Sequence, residues 1–131
     1  MSEKRVLIVE DDQHIAELLS VHLSRAGYGV LLAQDAVHAI SISQKERPDL
    51  IILDIMLPAG GGEGVLAALK NSFKTALIPI VATSALPEDE IHRRIPSFIR
   101  DIERGQIIHF APKPIDMPLL LNSIKSRLEK P

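Results

Sequence analysis

The sequence contains no cysteine and no tryptophan, and it has only one tyrosine and three phenylalanines. Without cysteine the chain can form neither a disulfide nor a cysteine-ligated zinc site, and thiol catalysis is excluded. So few aromatic side chains argue against a surface that stacks nucleic-acid bases, and we expect Tyr28 to pack with its hydroxyl exposed. Fifteen Lys and Arg against seventeen Asp and Glu give a net charge of −2, so no general basic field favours direct nucleic-acid binding.

Long hydrophobic runs are also missing, because no stretch approaches the roughly 18 apolar residues of a membrane-spanning helix. The N-terminus leads directly into the run Val6–Val9, and acidic residues follow at positions 10 to 12, where a signal peptide would continue its apolar stretch. We therefore predict a cytoplasmic protein without membrane association. With 131 residues, 46% of them apolar and 24% charged, the chain is expected to form a single domain over residues 1–131.

Short apolar runs alternate with segments of helical periodicity. Five runs are typical of strands covered on both faces, namely Val6–Val9, Val30–Ala33, Leu50–Leu53, Ile78–Ala82 and Ile107–Phe110. Residues 87–104 are predicted to be helical, but Pro96 lies in their middle, so we expect either a kink there or a new helix beginning at Pro96. Strands that alternate with helices predict an α/β fold, a doubly wound five-stranded parallel sheet with helices on both faces.

Acidic, hydroxyl and lysine side chains stand at the predicted carboxyl ends of the strands, where open α/β sheets bind ligands. They are Glu10, Asp11 and Asp12 after the first strand, Asp54 at the end of the third, Thr83 and Ser84 after the fourth, and Lys113 after the fifth. Close carboxylates repel each other unless a cation lies among them, and Mg²⁺ is a hard cation that selects oxygen ligands. An ammonium and a hydroxyl can bind a phosphoryl group, and a carboxylate can act as its nucleophile. This rim therefore predicts phosphoryl transfer onto an aspartate.

Several segments in this order carry a family resemblance. They are Val6–Asp12, Pro48–Pro58, Gly62, Ile78–Val81, Ser84–Ala85 and Lys113–Pro114. With these segments, essentially the whole chain resembles the receiver domains of bacterial two-component response regulators. The resemblance implies a flavodoxin-like sheet with strand order 2-1-3-4-5. It also implies Mg²⁺-dependent transfer of a phosphoryl group from a sensor histidine kinase or phosphotransfer protein. That transfer would switch an output face made of the fourth helix, fifth strand and fifth helix.

The resemblance further assigns roles to single residues of the acidic rim. Asp54 is implied to be the phosphoacceptor. Glu10 and Asp11 are implied to be the acidic pair that holds Mg²⁺, Asp11 directly and Glu10 through water. Asp54 and the main-chain carbonyl of Met56 would complete the protein ligands of the metal.

Other residues are implied to sense the phosphoryl group. Lys113 should contact it, and Ser84 should be the hydroxyl that moves to it, with Thr83 as the competing candidate. Phe110 occupies the position of the aromatic side chain whose orientation reports the active state. The peptide bond before Pro114 is one that the family often has in cis.

Two departures from the family pattern carry expectations of their own. The chain advances 29 residues from Ser84 to Lys113, more than is usual, and the extra length falls around the fourth helix. Its charged residues form either a solvated helix surface or a remodelled output surface that selects an acidic partner or an unusual dimer; they are His92, Arg93, Arg94, Arg100, Asp101, Glu103 and Arg104. The apolar Met56 and Leu86, two residues beyond the acceptor and the switch hydroxyl, cannot orient an attacking water, which predicts slow self-dephosphorylation.

Rival interpretations remain beside the phosphoacceptor. The first is a receiver-like interaction module that a partner switches without phosphorylation. A phosphatase of the Asp-x-Asp-x-Thr kind is disfavoured because Met56 replaces the second carboxylate, and a flavin carrier would leave the acidic rim unexplained. The glycines at 60–62 lack phosphate-loop spacing and are interpreted as a flexible turn.

We expect no effector domain in this chain and no enzyme activity beyond its own phosphorylation and dephosphorylation. Its partners would be the kinase, a downstream effector or fused output domain, and a possible second copy in a homodimer.

Overall fold

Five parallel strands form a single sheet in the computed structural model, which describes residues 3–129. The strands are β1 (Arg5–Val9), β2 (Gly29–Ala33), β3 (Leu50–Asp54), β4 (Ile80–Ser84) and β5 (Ile107–Pro112). Their order is β2-β1-β3-β4-β5, and every neighbouring pair is parallel. The doubly wound α/β fold and the strand order 2-1-3-4-5 are therefore confirmed.

Six α-helices cover the two faces of the sheet; five of them connect successive strands, and the sixth follows β5. They are α1 (Gln13–Arg25), α2 (Ala36–Glu46), α3 (Gly61–Lys70), α4 (Glu88–Arg94), α5 (Phe98–Glu103) and α6 (Met117–Leu128). Asp12, Asp35 and Asp116 cap α1, α2 and α6, because their side chains accept hydrogen bonds from the first free N–H groups of those helices. In the part of the chain that the structure describes, no helix has the length and apolar character needed to span a membrane.

The core is divided by the sheet into two apolar clusters. One contains Leu7 and Leu53 with side chains of α2, α3, α4 and α5, and the other contains Ile8 and Ile52 with side chains of α1 and α6. Successive strand residues point to opposite faces of the sheet. Because helices cover both faces, every residue of β3 is buried. This double coverage explains why the central strands are continuous apolar runs in the sequence.

Two strand boundaries differ from those predicted. Strand β4 begins at Ile80 and not at Ile78, because the Ile78 N–H bonds to the carbonyl of Thr75 in the preceding turn and Pro79 has no N–H to donate. Strand β5 continues past Phe110 to Pro112, and the N–H of Lys113 then donates to the Ser84 carbonyl at 2.9 Å. The pairing of β4 with β5 thus reaches the edge of the sheet where the predicted site lies.

The expected interruption at Pro96 is confirmed, and it takes the form of two separate helices. Helix α4 ends at Arg94. Ile95 has φ −127° and ψ 88°, which lie outside the helical region, because a proline disfavours helical angles for the residue that precedes it. The new helix begins at Phe98, so the predicted start at Pro96 was two residues too early. The fourth helix of the sequence prediction therefore corresponds to α4 and α5, and the fifth corresponds to α6.

Helix α5 is attached to the domain by side chains that the sequence did not mark as buried. Phe98 is fully buried, and Asp101 is only 1% exposed with its Oδ1 2.5 Å from Lys70 Nζ on α3. Asp101 is therefore not part of the charged surface with which it was grouped. Tyr28 is buried as well, and its hydroxyl donates to Glu129, which corrects the prediction of an exposed hydroxyl.

Candidate functional site

Three carboxylates meet at the carboxyl edge of the sheet because β1 and β3 are neighbours in register. Val9 pairs with Leu53, so Glu10 and Asp11, which follow β1, come beside Asp54 at the end of β3. One carboxylate oxygen from each of the three lies within 4.8 Å of the others. Glu10 and Asp54 are buried and Asp11 is exposed, so the cluster opens to solvent on the side of Asp11.

Lys113 brings the only cation close to these carboxylates among the ion pairs of residues 3–129. Its Nζ lies 2.7 Å from Glu10 Oε1 and 3.1 Å from Asp54 Oδ2. The backbone of Lys113 is fixed to β4 through its bond to Ser84, and the Lys113–Pro114 peptide is cis, as expected. The lysine therefore bridges two strands that do not adjoin β5.

The electrostatics of the cluster follow from burial and from this bridge. Burial raises the pKa of Glu10 and the Asp54 charge adds to the increase, although hydrogen bonds from Lys113 and from the Asp12 N–H partly offset it. Burial alone would lower the pKa of Lys113, but its bonds to Glu10 and Asp54 outweigh that effect and raise the pKa. Lys113 is thus held in its charged form, while the charge on Glu10 costs free energy.

Both oxygens of Asp54 have a fixed partner. Oδ1 accepts the N–H of Met56 at 3.0 Å, and Oδ2 accepts Lys113. The loop that provides the Met56 N–H is pressed against α3, because a Cβ at Gly62 would lie 1.8 Å from the Ile55 carbonyl oxygen. Gly61 and Gly62 belong to α3, so the interpretation of positions 60–62 as a flexible turn is corrected to a close backbone approach.

The two hydroxyl candidates are both buried at the end of β4. Ser84 is fully buried and its Oγ accepts the Leu86 N–H at 3.0 Å, while Thr83 is 1% exposed and pairs in register with Asp54. The backbone of Ser84 contacts Lys113. Burial does not separate the two residues, so the choice of Ser84 as switch hydroxyl stays a prediction.

Phe110 contacts an aromatic residue that the sequence reasoning missed. Its ring meets that of Phe98 edge-on, with centroids 6.2 Å apart and planes at 83°. The ring of Phe98 in turn lies 5.4 Å from that of His92 on α4. The apolar residues Ile95 and Phe98, three apart on either side of Pro96, were a signal for this buried contact.

The donor set of the cluster fits a hard divalent cation. All its side-chain ligands are carboxylate oxygens, two of them buried beside a single lysine, and such ligands suit Mg²⁺ better than softer metals. An adjacent ammonium suits a phosphoryl oxygen. The arrangement can therefore combine a metal, a nucleophilic carboxylate and a charge for a phosphoryl group on one rim.

Comparison with known proteins gives the family. A model of the response regulator receiver domain matches residues 6–125. This chain belongs to the response regulator receiver family. Receiver domains are signalling phosphoacceptors that bind Mg²⁺ at an acidic site, and response regulators interact with histidine kinases and output domains.

Relatives of this receiver domain include proteins of two lengths. The DNA-binding dual master transcriptional regulator RpaA of Synechocystis is 32% identical over 126 residues, which cover 96% of this chain and 49% of RpaA. The polar-differentiation response regulator DivK of Brucella anthropi is 30% identical over 125 residues, which cover 95% of this chain and 96% of DivK. The receiver domain thus spans about half the length of RpaA but nearly all of DivK.

A solved structure shows the same architecture at similar sequence distance. A putative response regulator from Chloroflexus aurantiacus superposes with a TM-score of 0.81 at 28% identity. The superposition covers 98% of this chain and 100% of the Chloroflexus chain. The two chains therefore share one fold over nearly their whole length.

Proposed function

We propose that this receiver domain accepts a phosphoryl group on Asp54 from a sensor histidine kinase or phosphotransfer protein, with Mg²⁺ as cofactor. The observation that carries the proposal is the fixed, buried Asp54 carboxylate, 6% exposed and bonded to Lys113 beside Glu10 and Asp11. In the transfer, an Asp54 oxygen forms a bond to phosphorus while the bond from phosphorus to the donor imidazole nitrogen breaks.

The residues of the chain divide the work of this step. Glu10, Asp11, Asp54 and the main-chain carbonyl of Met56 would hold Mg²⁺, which supplies positive charge against the carboxylates and the incoming phosphoryl oxygens. The N–H of Met56 orients Asp54 before the donor arrives. Lys113, kept charged by its acidic partners, can exchange its contact with Asp54 for a phosphoryl oxygen.

The phosphoryl charge would then change the bonds of the output side. We propose that the Ser84 hydroxyl leaves the Leu86 N–H to donate to the phosphoryl group, and that Phe110 follows it inward. Because Phe110 packs on Phe98, this movement reaches α5 directly. The face that would switch between two states is made of α4, α5, β5 and α6.

Residues 1–131 are proposed to act as a single receiver whose output comes from another protein or a fused domain. The module switched without phosphorylation is the weaker candidate, since the acidic side chains and the lysine are all in place around Asp54. A cytoplasmic location and a homodimer also stay predictions.

Intact mass after incubation with acetyl phosphate and Mg²⁺ tests the proposal. We expect one added phosphoryl group, and we expect it to be lost both in Asp54→Ala and in the presence of a chelator. Addition to Asp54→Ala would contradict the assignment of the acceptor. No addition, together with no Mg²⁺ binding in a titration, would favour the module that a partner switches without phosphorylation.

A further inference from the structure

The segment between α3 and β4 displays two large apolar side chains at the end of the sheet opposite to Asp54. Phe73 is 91% exposed and Leu77 is 90% exposed. The segment itself is firmly held, because Thr75 is buried and its hydroxyl donates to the Leu69 carbonyl at 2.8 Å, and because the Ala76 N–H bonds to the Ser72 carbonyl at 2.8 Å. A fixed turn therefore presents Phe73 and Leu77 to solvent. Because these side chains stay exposed, they contribute no hydrophobic stabilisation to the folded domain.

A cavity of about 450 Å³ opens beside Leu77, and we name it the basal groove. It is lined by Lys70, Ala76, Leu77, Arg104, Gly105, Gln106 and Arg127. Every charged residue of this lining is cationic. Lys70 is paired with the buried Asp101, whereas Arg104 and Arg127 form no ion pair with a carboxylate of residues 3–129.

The lining also contains a donor without a partner. The side-chain amide nitrogen of Gln106 is buried and has no hydrogen-bond acceptor within the described part of the chain. A buried donor of this kind costs free energy until an acceptor reaches it. The guanidinium groups of Arg104 and Arg127 lie in the same lining and are unpaired among the described residues. The basal groove therefore favours a ligand with negatively charged oxygens.

The shape of this region favours an extended ligand over a compact anion. Arg127 also lines a second cavity of about 370 Å³, together with Ile108 of β5 and Asn122, Ser123 and Ser126 of α6, so this arginine borders two cavities. A small anion would need only the arginines, and it would leave the exposed Leu77 and Phe73 without a contact. An extended peptide that carries both carboxylates and an apolar side chain would use the arginines, the amide and the apolar turn together.

We propose that the basal groove binds an extended acidic segment of a partner protein, with carboxylates on Arg104 and Arg127 and an apolar side chain against Leu77. The groove lies at the amino-terminal ends of β4 and β5, and Asp54 lies at the carboxyl end of β3. The partner can therefore stay bound while Asp54 accepts or loses its phosphoryl group. This proposal does not depend on phosphorylation.

Fluorescence anisotropy with a labelled peptide that alternates glutamate and leucine tests the proposal, and amide chemical shifts of the full chain locate the contact. We expect shifts at residues 73–77 and 104–106. We expect roughly tenfold weaker binding for the double variant Arg104→Glu, Arg127→Glu and a smaller loss for Leu77→Ser. The double variant Arg25→Glu, Lys45→Glu changes the net charge equally on the exposed surfaces of α1 and α2 and should bind as the unsubstituted chain does.

Other outcomes would overturn the proposal. Equal loss in the control double variant, equal binding of a peptide that alternates glutamate and serine, or no binding of the glutamate–leucine peptide would each contradict it. Shifts at the groove with inorganic pyrophosphate but not with the peptide would indicate a small-anion site instead. Sedimentation that shows a dimer abolished by Arg104→Glu, Arg127→Glu would indicate a second copy as the occupant.

Discussion

Glu10 and Lys113 set the charge balance of the site at the scale of single residues. Two buried carboxylates share one lysine, so one negative charge lacks a direct partner until a cation binds. Burial raises the pKa of Glu10, and the charge of Asp54 adds to this increase. We therefore expect Mg²⁺, if bound among these carboxylates, to raise the free energy of unfolding of this chain.

Replacement of Glu10 by Gln tests this balance through pH. Because the folded pKa of Glu10 is raised above its ordinary 4.5, the unfolded chain loses this proton first as the pH rises. The stability that the residue contributes is complete below that value and is lost as the pH rises through the folded pKa. We expect the free energy of unfolding of Glu10→Gln, measured in urea titrations, to rise relative to that of the unsubstituted chain as the pH increases above 4.5. We also expect Mg²⁺ to stabilise Glu10→Gln less than it stabilises the unsubstituted chain. A pH-independent difference would contradict this explanation.

Met56 and Leu86 are predicted to determine the lifetime of a phosphoryl group on Asp54. Their side chains are apolar and cannot hold a water for attack on phosphorus. We expect Met56→Asn combined with Leu86→Glu to speed phosphoryl loss by about tenfold or more, measured by intact mass over time after removal of the donor. Val37→Asn, an exposed apolar residue on α2, is the control and should leave the rate unchanged. An unchanged rate in the double variant would remove these positions from the explanation of lifetime.

At the scale of the element, the start of α3 lies so close to the loop after β3 that Gly62 leaves no room for a side chain. A Cβ at Gly62 would collide with the Ile55 carbonyl, whereas a Cβ at Gly64 would meet nothing within 4 Å. We expect Gly62→Ala to lower the free energy of unfolding by about 2 kcal/mol or more, and to disturb Mg²⁺ binding through the Met56 loop. Gly64→Ala should stabilise the helix by about 0.5 kcal/mol or more, since glycine is a poor helix former. Similar denaturation curves for both variants would contradict the close approach.

Local sequence patterns predicted some elements of the fold and missed the burial of others. The strands and the carboxyl-edge residues could be predicted because parallel strands buried on both faces leave continuous apolar runs and end at one edge. The burial of Asp101 could not, since it depends on Lys70, which is distant in the chain. The apolar Phe98 indicated a buried position but not its contact with Phe110. The charged surface around α4 is partly explained by pairs within the helix, because Arg93 and Arg94 both bond to Glu90. A partner selected by those arginines stays a prediction.

At the scale of the whole molecule, a single hydrogen bond joins the beginning of β2 to the end of α6. The hydroxyl of Tyr28 donates to Glu129, and burial together with this acidic partner raises the pKa of Tyr28 above its ordinary 10.0. The unfolded chain ionises near that ordinary value, so it releases the proton before the folded chain does. The stability that Tyr28 contributes is therefore present below about pH 10 and is lost as the pH rises through the folded pKa.

Replacement of Tyr28 by Phe separates this link from the rest of the alkaline response. At neutral pH we expect Tyr28→Phe to be less stable by about 1 kcal/mol, the usual contribution of one hydrogen bond. Above about pH 10 the two denaturation midpoints should converge, because only the unsubstituted chain still loses the tyrosine contribution. Lys113 is present in both proteins, so its own alkaline effect cancels in the difference. Midpoints that stay equally far apart from about pH 8 to pH 11 would show that the hydroxyl ionises equally in both states, and the bond to Glu129 would then not hold α6 to the sheet in solution.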